Sequence, residues 1–144
     1  MRKYYLFEIK DNILKNYKNN YEELYELLEK IHYLKSEDII LGFNIFNSLV
    51  VPINKNKYND YIRENNIEND NYICYNYTHT INDFFYNEST KMIINNSHIK
   101  IKSNKNIPSF FYNLRTFHNI FVCDFDNHDY FLLDETIYSS CKDN

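Results

Sequence analysis

Two aspartates one residue apart, Asp124 and Asp126, stand at the end of the apolar stretch 120–125. At the tip of a strand, that spacing lets one carboxylate attack phosphorus while the other moves a proton, with Mg²⁺ held beside them. Only 20 residues follow Asp124 in this chain of 144, too few for the rest of a doubly wound sheet. The same residues also suit a turn, because Asp and Asn tolerate left-handed backbone and bond their own turn. A metal-dependent hydrolase using Asp124 and Asp126 is therefore the lesser alternative. It requires the two carboxylates to converge in a concave pocket.

Other chemistry finds less support. None of His32, His79, His98, His118 and His128 stands beside another His or a Cys at the short spacing of structural zinc sites. Cys74, Cys123 and Cys141 are an odd number at unpatterned spacing, which reads as reduced thiols. Cys123 lies inside an apolar strand, where a cysteine usually acts as a small core residue. With Gly42 as the one glycine, phosphate-binding loops and dinucleotide fingerprints are excluded. The reading is of a non-enzyme with no catalytic residues, no metal and no cofactor.

The net charge of −4 argues against nonspecific nucleic-acid binding, though not against a local basic patch. No apolar run approaches a membrane span, and the N-terminus lacks a signal-peptide core. The expectation is a cytoplasmic protein with no direct nucleic-acid contact and no membrane contact. With 15 Tyr, several are expected at the surface, since each buried Tyr hydroxyl needs a partner, although a compositional bias that puts Tyr and Phe in place of other apolar residues accounts for them equally well. Exposed tyrosines favour protein contacts.

The elements follow from apolar spacing. Residues 3–9 alternate as a strand with apolar residues on both faces, which suggests an interior position in a sheet. Asp11 opens a short helix to about residue 18. Asn20 and Glu23 resemble a capping box before a helix with Tyr21, Leu24, Tyr25, Leu28, Ile31 and His32 at helical spacing. Residues 36–53 are apolar and are read as helix, interrupted at Pro52. Residues 55–71 suggest a short surface helix, 72–78 a strand, and 79–90 a loop with aromatic anchors. A hairpin over 91–102 puts Ile99 and Ile101 inward and His98, Lys100 and Lys102 toward water. Pro108 starts a short helix, and a second hairpin spans 120–133. Tyr5, Phe7, Leu24, Leu28, Ile99, Ile101, Phe121 and Val122 are expected to be buried. The fold class is α+β: one domain with a mainly antiparallel β-sheet, the first strand near its middle, and helices packed against it.

The two ends of the chain together resemble the SirA family, the sporulation inhibitors of replication. At the start stand Tyr4-Tyr5-Leu6-Phe7-Glu8-Ile9-Lys10 and a helix with Ile13 and Tyr17; near the end stand residues 120–127 and then Asp129-Tyr130-Phe131-Leu132-Leu133. The closing segment departs from the family pattern in lacking Gly, Trp and Pro. The resemblance implies a SirA-like domain over residues 1–138, with a frayed tail at 139–144. It also implies a non-enzymatic inhibitor that binds the N-terminal domain of DnaA and impairs its assembly at the chromosome origin. Another small cytoplasmic adaptor remains an alternative.

From the resemblance, Ile13 and Tyr17 carry over as contact residues. Lys10 and Asn16 join them as neighbours on the helix, and Asn44 and Asn47 come from the next helical region. On geometry alone, Lys10, Ile13, Leu14 and Tyr17 share one stripe of the early helix. Leu14 is the one expected in the core, with Ile13 and Tyr17 at its edge.

Overall fold

The chain begins in the interior of its sheet. The computed structural model describes residues 1–134. In it β1 (Arg2–Glu8) lies between β5 (Ile99–Ser103) and β6 (Ile120–Asp124), antiparallel to both. The remaining strands are β2 (Tyr72–Tyr75), β3 (Thr78–Asp83), β4 (Glu88–Ile94) and β7 (Asp129–Leu132). Their order is β2-β3-β4-β5-β1-β6-β7, and every neighbouring pair is antiparallel. The helices are α1 (Asp11–Asn16), α2 (Tyr21–His32), α3 (Ile39–Leu49), α4 (Lys55–Asn66) and α5 (Phe110–Leu114). A 3-10 turn at Ser36–Asp38 leads into α3. The α+β class and the interior first strand are as expected. The expected domain end at 138 and the tail at 139–144 lie outside the described residues.

Alternation along β1 divides the interior into two cores. Tyr4 and Leu6 join Met92, Ile99 and Ile101 beneath α4 and α5, where Tyr58, Ile62, Phe110, Phe111 and Leu114 close the layer. Phe7 and Ile9 join Phe121 and Cys123 on the other face, covered by Leu14 of α1, Leu24, Tyr25 and Leu28 of α2, and Leu49 of α3. The second cover is incomplete. It spans the β1, β6 and β7 side and leaves the same face of β2 to β5 facing water, where Ile73, Tyr75, Lys91 and Lys102 are exposed.

Several expectations are corrected. Residues 79–90 are not a loop: β3 and β4 occupy most of the segment and pair from Thr78↔Ile93 to Asp83↔Glu88. The strand expected over 72–78 ends at Tyr75, and Asn76, with a φ of 54°, turns the chain back into β3. Helix α1 ends at Asn16, earlier than expected, and α4 ends at Asn66. Helix α4 is half core, not a surface helix, because Tyr58 and Ile62 are buried. The capping box at Asn20 does not form through side chains. His98 does not point to water but packs its ring near Tyr5 and Phe7, at 5.7 and 5.9 Å between centroids. Of the eight residues expected inside, seven are buried and Tyr5 is half-buried.

Left-handed backbone normally falls to glycine. Among the described residues it falls here to Asn19, Asn76, Asn87, Asn119 and His128, with φ of 50–68°. Short polar side chains that bond locally tolerate that region best. Gly42 has no such φ; its role is steric. A Cβ there would stand 2.0 Å from Leu34 Cδ1, so its absence lets Leu34 lie against α3.

Candidate protein-binding face

Helix α1 starts where β1 ends. The backbone ties this junction to the far end of α3: Lys10 N donates to Leu49 O at 2.9 Å, Val51 N donates to Glu8 O at 2.7 Å, and Ile9 bridges Val50. Along α1 and the Tyr17 that caps it, Leu14 is buried, while Ile13 and Tyr17 are half-buried against the same core. Lys10 is half-buried and Asn16 exposed. Asn44 and Asn47 are both exposed on α3. At 100° per residue they lie about 60° apart, so they share the outer side of that helix.

The sequence reading missed the neighbours of those asparagines. Ile39, Ile40, Leu41 and Phe43 are all more than half exposed, Ile40 at 76 % and Phe43 at 63 %. Only Gly42 and Leu49 of α3 are buried, with Ile45 and Phe46 at the margin. The signal was present in the sequence. Ile39-Ile40-Leu41-Gly42-Phe43 is apolar around the whole helix, and a helix on the surface of a small domain buries only one stripe. Between α3, the end of α2 and the sheet runs an open groove of about 630 Å³ lined by residues such as Tyr5, Phe7, Ile31, Phe43, Phe46 and His98. Asn47 stands on its wall. Burial lowers the pKa of His98, and the adjacent His32 lowers it further. The groove is thus an apolar, neutral surface.

The aspartates of the hydrolase alternative do not converge. Asp124 is 1 % exposed and accepts from Arg2 Nε at 2.8 Å and from the backbone and side chain of Asn127 at 3.2 and 2.8 Å. Its charge acts on Tyr4, on the α4–α5 side of the sheet, whereas Asp126 is exposed and acts on His32 and Tyr33 of the opposite layer. Asp124 therefore serves as a turn residue and as an anchor for Arg2, which also reaches Asp129 at 2.8 Å. Burial pushes the Cys123 thiol well above its ordinary value, so it is held protonated. Among the described residues, no group of three or more His, Cys, Asp or Glu could hold a metal ion.

These features define a class: a small α+β domain whose described residues present an exposed apolar helix beside an apolar groove. The family model of the sporulation inhibitor of replication protein SirA matches residues 2–136, and the chain belongs to that family. No curated protein matches it. Membership carries the family's description as a regulatory inhibitor of replication linked to sporulation. No described helix is long and apolar enough to cross a membrane.

Proposed function

We propose that this protein restrains replication initiation by binding the N-terminal domain of DnaA in the cytoplasm, through a face made by α1 and the outer side of α3. The observation that carries this reading is the exposed apolar group Ile39, Ile40, Leu41 and Phe43 on an ordered helix. Contiguous apolar surface of this kind marks a contact site. The backbone bonds at Lys10 and Val51 join α1 to that helix, so Ile13, Asn16 and Tyr17 can act with Asn44 and Asn47. The α3 part of the face, Ile39–Leu49, carries no charged residue, so its share of the affinity rests on burial of apolar and aromatic groups. No chemistry is required: occupying a surface that DnaA needs for assembly at the origin is enough, which agrees with a non-enzymatic role and no cofactor.

The test is a calorimetric titration with the host's DnaA N-terminal domain. The wild-type protein should bind it. The double variant Ile40→Ser with Phe43→Ser should bind at least about 30-fold more weakly, as expected when interface anchors worth about 2 kcal/mol are lost. Its thermal melt should hardly change, because both side chains face solvent. A folded wild-type protein that fails to bind DnaA would transfer this face to a different protein partner.

A further inference from the structure

The open half of the sheet has its own chemistry, separate from α1 and α3. Cross-strand pairing places Lys3 opposite Lys102 and Lys102 opposite Lys91, so three lysines stand side by side on β1, β5 and β4. At a strand spacing of about 4.8 Å they form a straight row about 10 Å long. Like charges directly opposite one another destabilise a sheet. Here the repulsion has no local relief, since no ion pair among the described residues involves any of the three. The carboxylates of β1 to β5 alternate to the other face: Glu8 accepts from Tyr58 Oη, and Glu88 from Ser109 and Thr90. Lys100 adds a fourth ammonium one row along, 5.6 Å from the Tyr5 ring centroid.

Beyond the end of the same strands, the β3–β4 turn carries Phe84, Phe85 and Tyr86. Phe84 is 100 % exposed and Phe85 86 %. The turn that presents them is well bonded. Asp83 Oδ1 accepts from Tyr86 N at 3.1 Å, and Asn87 takes a left-handed φ of 51°. Asn104 braces the turn from β5 by donating to Asn87 O at 2.8 Å and accepting from Ser89 N at 2.8 Å. The fold thus holds large apolar rings out in water.

We propose that this end of the sheet is a peripheral contact site for an anionic lipid bilayer, with the 84–86 turn entering the interface and Lys3, Lys91 and Lys102 meeting the headgroups. The dimensions agree. Lys91 lies four residue steps after Asn87, about 14 Å of strand. Interfacial side chains enter about 5–10 Å into the headgroup and acyl boundary. With the strands upright on the surface, the lysine row runs parallel to it at headgroup height, where each lysine gains from anionic lipid. A bilayer suits the site better than single-stranded nucleic acid. Bases stack on rings lying among the lysines on a face, whereas these rings project past the end of the sheet. The net charge of −4, averaged over the chain, conceals this local surface.

Co-sedimentation with vesicles of phosphatidylcholine mixed with phosphatidylglycerol tests the proposal, with phosphatidylcholine alone as the comparison. The wild-type protein should bind the mixed vesicles and not the neutral ones. Lys91→Gln with Lys102→Gln should weaken binding about 25-fold. Phe84→Ser with Phe85→Ser should weaken it at least about tenfold. Lys57→Gln on α4 should change nothing. All of these side chains are exposed, so thermal melts should stay close to wild type. The proposal is overturned if the mixed vesicles do not bind the protein, or if either double variant sediments like wild type. It is also overturned if a labelled oligothymidylate binds while the vesicles do not.

Discussion

Tyr17 shows how one side chain can serve both fold and surface. Its backbone closes α1 by donating to Ile13 O at 3.1 Å, and its ring rests half-buried on the core beneath α1 and α2. A ring anchored on one side and wet on the other loses little conformational entropy on binding. On the proposed function, Tyr17→Ala should weaken DnaA binding about 30-fold, while costing clearly less stability than the ~3–5 kcal/mol of a fully buried aromatic. Titration and melting of the same variant decide the matter; a large fall in melting temperature would make Tyr17 a core residue. The sequence showed the stripe that Ile13, Leu14 and Tyr17 share, with Leu14 as its buried member and the other two at the edge of the same core. It misled at His98, where strict alternation with Ile99 and Ile101 pointed the imidazole to water. The groove lining captures that ring instead, since His is apolar enough to pack once it is neutral.

Helix α4 and helix α2 begin differently, although both have Asn at the N-cap. Asn54 accepts from Lys57 N at 3.2 Å, whereas the side chain of Asn20 makes no cap bond. Asn54→Ala should cost about 1 kcal/mol and Asn20→Ala only a few tenths, as read by urea denaturation of the two variants. Equal losses would mean that the side-chain bond at Asn54 contributes nothing. The sequence could not separate the two, because cap residues signal a start and not the φ and ψ that complete it. The same limit hid β3. Its inward residues are His79 and Ile81, so half of its buried face reads as polar. His79 can be inside because both ring nitrogens are engaged, with Tyr72 Oη and Asn59 Oδ1 each 2.6 Å away. Partners so distant in sequence leave no local signal. Helix α3 was legible as a helix but not as an uncovered one, since apolar spacing does not say whether a second layer arrives.

At the scale of the molecule, the acid response follows from imidazoles held below their ordinary pKa, above all the buried His79. Burial lowers His79 to a pKa of about 4, and it lowers His32 and His98 in the same direction. The folded protein keeps these rings neutral, while the unfolded chain protonates them below about pH 6.5. The unfolded state then binds more protons, so stability is full above about 6.5 and falls as the pH drops toward 4. For His79 alone the loss between pH 7 and pH 5 is about 2 kcal/mol. Urea midpoints across that range, with an NMR titration of the His79 ring, check the sign and size; an unchanged midpoint would contradict it.

Helix α3 is fastened unevenly. Its Leu49 end is stitched into the sheet by the Lys10 and Val51 bonds and the Ile9–Val50 bridge, whereas its Ile39 end follows an exposed 3-10 turn and leans on Leu34 through the space that Gly42 leaves. Mechanically this is a lever of 11 residues, about 16 Å long, with its fulcrum against β1. A partner gripping Ile39 and Ile40 pulls at the greatest distance from that fulcrum. That pull would be taken up at Ile9, two residues before the start of α1, so the roots of α1 and α3 share one anchorage on the sheet.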